Sequence, residues 1–260
     1  MLFADRWAIA VVVVFFLVAV AQGQVAPNIV CGPPLAERLE LYFLRSELRA
    51  KHIVNNDLDP GPIKAGTEKV ELGGVIVEWI STLKPKYEVD IAIKINGYRL
   101  ELKNQKSTNL ADEDRAIEPT MVDQWDQIRL YDLGNDRRVV AITLRPRMCT
   151  GLMCGVAAQL YFDLKSKKAA LFGTYRTDGE AKLYSFGPDG NEAFVVATNF
   201  AGDPHGTVAP LTLTYELYRL IHDGRFVHEK YFIKHIQQPE KSDKTDTVEE
   251  RWIERLRLDQ

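Results

Sequence analysis

Asn96-Gly97 constrains this chain more than any other pair of residues. It lies between two runs that alternate apolar and polar side chains, residues 87–95 and 98–104. In that setting Asn-Gly predicts a two-residue β-hairpin turn, because both central residues of such a turn need positive φ. The turn also fixes the register, since a slip of one residue would exchange the two faces of each strand. Ile95 then faces Tyr98, Ile93 faces Leu100, Ile91 faces Leu102 and Val89 faces Asn104, an apolar face fit for a core. The other face sets Lys94 against Arg99, Ala92 against Glu101 and Asp90 against Lys103. Two carboxylates and a lysine thereby become opposite or diagonal neighbours.

That polar face has two chemical readings. The plainer is a solvated surface with a cross-strand Asp90–Lys103 ion pair, worth under about 1 kcal/mol. The sharper is a metal site. Two adjacent carboxylates repel, and a divalent cation relieves the repulsion. A neighbouring lysine can hold a hydrolytic water or offset charge in a phosphoryl transition state. The spacing of Asp90 and Glu101-Leu102-Lys103 resembles the core motif of the PD-(D/E)XK nuclease superfamily. The string is also similar to the nuclease region of type I restriction enzyme motor subunits. The resemblance implies Mg²⁺ or Mn²⁺ held by Asp90 and Glu101, with Lys103 beside them as a catalytic group.

The neighbouring segments supply a compatible order of elements. Pro33-Pro34 lead into a predicted helix over residues 35–50. Residues 70–82 read as a strand, with Gly73-Gly74 as a bulge. After the hairpin, Met121, Trp125, Ile128, Leu130 and Tyr131 give an apolar face to a predicted helix over residues 119–133, ended by Gly134-Asn135. Residues 138–144 are an almost continuous apolar strand. The order is helix, three strands, helix, strand, which is the αβββαβ order of the superfamily core. The expectation is an α+β, restriction-endonuclease-like core within residues 24–145, the resemblance covering about residues 35–145. Gln127 and Tyr131 match the Gln-x-x-x-Tyr element that some branches carry on the second helix, which implies a supporting role at the catalytic site. Glu40 and Glu47 on the first helix are candidates for a further acidic ligand. Val89 stands where the family motif often has proline.

Beyond this stretch the pattern changes to hairpins. Residues 157–164 and 169–175 flank one turn, 181–186 and 193–198 another, and 211–221 and 226–236 a third. The expectation for residues 146–236 is an antiparallel, hairpin-rich extension. Tyr215, Tyr218, Tyr231 and Phe232 are read either as core or as an aromatic surface for bases or sugars. Residues 237–260 read as a polar linker with a short amphipathic helix.

The remaining features bound function. An apolar run from Trp7 to Ala21 followed by Gln22-Gly23 predicts a secretory signal over residues 1–23, with a retained membrane anchor as the alternative. In an oxidising compartment Cys149 and Cys154 are a natural disulfide, leaving Cys31 odd, although pairing of Cys31 with either stays open. The net charge of −3 supplies no general attraction for nucleic acid, so a polyanion would have to be met by a local patch or a metal. Motifs for serine hydrolases, phosphate-binding loops and zinc proteases are absent from the sequence. The expected function is an exported, metal-dependent phosphodiesterase acting on nucleic acid. The alternative is a non-catalytic, secreted β-rich binding domain or an inactive protein of the nuclease fold.

Overall fold

The computed structural model describes residues 43–57, 64–85, 89–108, 122–146, 156–175, 180–186, 192–201 and 211–236. The chain divides into two compact units, Met1–Leu35 and Ala36–Gln260, and every described residue belongs to the second.

Strands numbered along the chain form three antiparallel sheets among the described residues. The first sheet runs in sequence order: β2 (Gly66–Leu72), β3 (Val75–Leu83), β4 (Val89–Ile95) and β5 (Tyr98–Glu101). The second has the order β1 (His52–Asn55), β6 (Gln124–Asp132), β7 (Arg138–Arg145), β8 (Val156–Asp163), β9 (Lys168–Tyr175). The third holds β10 (Phe194–Ala201), β11 (Leu211–Leu220) and β12 (Phe226–Ile236).

Alternation within the strands explains how these sheets stack. Val77, Trp79, Ile93 and Ile95 of the first sheet meet Ile128, Ile142, Leu160 and Phe162 of the second in one buried cluster. The next residues along those second-sheet strands, Tyr131, Ala141, Tyr161 and Phe172, point the other way and pack with Val195, Tyr218 and Leu220 of the third sheet. The second sheet is therefore a middle layer with apolar cover on both sides. This is why Val139, Val140, Ala141, Ile142, Thr143 and Leu144 are all buried and why β7 reads as an unbroken apolar run. β7 hydrogen-bonds to β8, so strands on either side of residue 145 share one sheet.

This architecture overturns the expected α+β, restriction-endonuclease-like αβββαβ core, whose second helix is absent. Residues 124–132 of that predicted helix are strand β6. The register of β6 against β7 shifts between Trp125 and Gln127. A bulge adds one residue to a strand, so Trp125 and Ile128 reach the same core while standing three apart, a spacing that imitates a helix. Beyond the bulge Ile128 and Leu130 face one layer, while Arg129 and Tyr131 lie on the opposite side of the strand. Of the predicted first helix, residues 43–46 form a helical turn, residues 47–50 leave it with Glu47 in a β-bridge, and residues 35–42 lie outside the described residues. Gly73-Gly74 is not a bulge in one strand. Its φ angles of 56° and 75° make it the tight turn joining β2 to β3. Residues 181–186 contribute an isolated bridge at Tyr184 rather than a hairpin arm. Tyr215 and Tyr218 are buried, which assigns both to packing.

Candidate functional site

The Asn96-Gly97 turn forms as expected, with φ of 48° and 82°. Ile95↔Tyr98, Lys94↔Arg99, Ile93↔Leu100 and Ala92↔Glu101 pair as read from the sequence. The ladder stops there, because Leu102–Asn104 turns into a short 3₁₀ helix. Leu102 still reaches the core, and Lys103 still reaches Asp90.

On the outer face of the first sheet, Asp90, Glu101 and Lys103 therefore lie together. Lys103 Nζ donates to Asp90 Oδ2 at 2.9 Å, and Lys84 Nζ meets the same oxygen at 2.6 Å. These two ammonium groups, Lys84 first, hold the Asp90 carboxyl below the usual aspartate range. Asp90 in turn raises the pKa of Lys103. Glu101 turns to Arg99, whose Nε lies 2.6 Å from Glu101 Oε1. One row further, Lys69, Glu78, Lys94 and Arg99 stand side by side across β2, β3, β4 and β5. Lys94 and Glu78 make an ion pair of 3.4 Å within that row. Each acid here has a cation as its nearest partner, and the sheet face carrying them is open.

Gln127 and Tyr131 are brought together, but on β6, away from Asp90. Three residues on alternate positions of that strand, Gln127, Arg129 and Tyr131, share one face. Arg129 Nε donates to Gln127 Oε1, and Arg129 Nη1 lies 3.5 Å from the Tyr131 hydroxyl. Gln127 Nε2 also donates to Asn55 Oδ1 at 2.6 Å. The guanidinium is 7% exposed and meets Glu47 at 3.0 Å and Glu180 at 2.5 Å. Lys182 completes the group, 3.0 Å from Glu47 and 3.3 Å from Glu180. Burial disfavours the Lys182 ammonium, yet the two glutamates outweigh it and hold its pKa above the ordinary lysine value. Burial pushes the Tyr131 phenol up, so it remains neutral at pH 7. Its oxygen accepts the backbone N–H of Leu183 at 3.3 Å.

Arg129, Glu180 and Lys182 were not legible as a set. The one sequence signal is a guanidinium standing between Ile128 and Leu130 in an otherwise apolar strand. Glu47, one of the two candidates for a further acidic ligand, pairs instead with Arg129 and Lys182. Glu40, Cys31, Cys149, Cys154, and the signal-like residues 1–23 all lie outside the described residues. A narrow crevice between Trp79 and Trp125 opens on the first core, with Trp125 Nε1 donating to Glu68 at 2.9 Å, but it has no room for a water molecule. Among the described residues, no three acidic, histidine or cysteine side chains are grouped to hold a metal ion.

No family model, curated protein or solved structure matches this chain.

Proposed function

We propose that this chain is a non-catalytic, β-rich binding module. The observation carrying this reading is the state of Asp90. Its carboxylate already has two ammonium partners, and Glu101 is turned to Arg99. A divalent cation bound there would have to take the place of Lys84 and Lys103 at Asp90 and of Arg99 at Glu101. The alternating charges across the four strands are the pattern of a solvated sheet surface with matched cross-strand neighbours. Export belongs to the reading through the apolar run at residues 7–21.

The phosphodiesterase alternative keeps one feature in its favour, the juxtaposition of Asp90, Glu101 and Lys103. A single pair of measurements separates the two. Calorimetric titration with Mg²⁺ or Mn²⁺ is expected to give no heat of binding, and plasmid DNA is expected to stay intact with either ion. Cleavage that needs the metal and is lost in Lys103→Ala would overturn the binding-module reading and restore the enzyme.

A further inference from the structure

The third sheet is extended by two short pieces of chain. Tyr184 bridges to Phe194, with N–O distances of 2.9 and 2.8 Å, and Glu47 bridges to the other side of Tyr184. Leu48 N–H donates to Leu183 O, and Ser185 N–H donates to Ser46 O, each at 2.8 Å. After the helical turn at residues 43–46, the backbone of residues 46–48 thus adds itself to a sheet edge, using the pairing by which peptides dock by strand addition.

Two side chains anchor this segment. Phe43 is buried among Tyr184, Phe186 and Tyr215, with ring centroids 6.2, 5.6 and 5.7 Å away. Glu47 meets Arg129 and Lys182. Between the anchors Leu44 is 66% exposed. The receiving surface is also held by contacts other than those with its occupant. Arg129 is fixed by Gln127 and Glu180, and the backbone of Tyr184 is fixed by Phe194. The cation pair, the Tyr184 backbone and the Phe186 ring thus each have partners outside residues 43–48.

We infer that this slot is a peptide-recognition site, filled in cis by residues 43–48. In trans it takes a segment of a protein partner that carries an aromatic residue, one helical turn and then a carboxylate four positions on, as residues 43–47 do. The inference rests on the binding-module reading and assigns that module its site.

The test uses the full chain carrying Phe43→Ala and Glu47→Gln together, and a fluorescent peptide of residues 40–50. Anisotropy is expected to show the variant binding this peptide at least tenfold more tightly than the parent chain, whose slot is occupied. Replacing the peptide's own phenylalanine with alanine, or its second glutamate with glutamine, is expected to weaken binding at least tenfold. A variant with unaltered circular dichroism that takes up no peptide overturns the proposal. Hydrogen exchange on the parent chain covers the case of an unfolded variant. The Leu48 and Ser185 amides are expected to exchange at least tenfold faster than those of Ile142 and Leu160, through local opening. Equal rates overturn the proposal as well. Metal-dependent cleavage of plasmid DNA would sink the parent reading instead, so the two failures are distinct.

Discussion

Asp90 illustrates how far single residues could be read. The alternation around Asn96-Gly97 was enough to bring Lys103 to its carboxylate, because β-strand periodicity fixes which side chains share a face. Lys84, six residues before Asp90, is not marked by that alternation, and its direct bond to Asp90 required β3 to pair with β4. The consequence is measurable. With its folded pKa depressed, Asp90 contributes stability above its unfolded pKa, and that contribution is lost as pH falls through the folded value. Carboxyl-carbon NMR is expected to show Asp90 titrating below the ordinary aspartate range, and both Lys84→Ala and Lys103→Ala are expected to move it upward. An unchanged titration in both variants would mean the ion pairs do not persist in solution. Arg129 was beyond reach at this scale, because its partners Glu47 and Glu180 are 82 and 51 residues away in sequence.

Among elements, turns were more legible than strands, and strands more than their phase. The hairpins β4–β5, β8–β9 and β11–β12 follow from local chemistry, since a short turn and alternating flanks need nothing from the rest of the chain. β6 was misread because one extra residue, Asp126, breaks the two-residue period, and only its pairing with β7 reveals the insertion. Gly73-Gly74 was misread for a related reason: a pair of glycines is compatible with a bulge or a turn, and the partner strand decides. The turn gives a contrast between neighbouring sites. A Cβ at Gly73 would come within 2.6 Å of the His52 ring and 2.9 Å of Leu130, whereas one at Gly74 meets nothing within 4 Å. Both need positive φ, which costs an L-residue about 1–2 kcal/mol. Urea denaturation is therefore expected to place Gly74→Ala in that range and Gly73→Ala about 1–2 kcal/mol beyond it, as overpacking adds to strain. Equal losses would remove the close approach of His52 as a cause.

The stacking of three sheets explains why the whole molecule was harder to read than its parts. A continuous apolar strand such as β7 is compatible with a parallel sheet under helices or with an antiparallel sheet under other sheets, and nothing local distinguishes them. The apolar spacing of residues 121–131, read as a helix, together with the nuclease-like hairpin, tipped the reading towards an α+β core. One relation between elements has a practical consequence. Because β7 bonds to β8 on one side and β6 on the other, a fragment stopped at Arg145 would finish on its greasiest ribbon with a row of amide and carbonyl groups left raw. Borders of that kind recruit further chains. A fragment of residues 24–145 is expected to sediment as aggregate on expression, while the same fragment continued through Tyr175 should show markedly more soluble material on ultracentrifugation. The chain can be shortened safely only where a ribbon already has its neighbour.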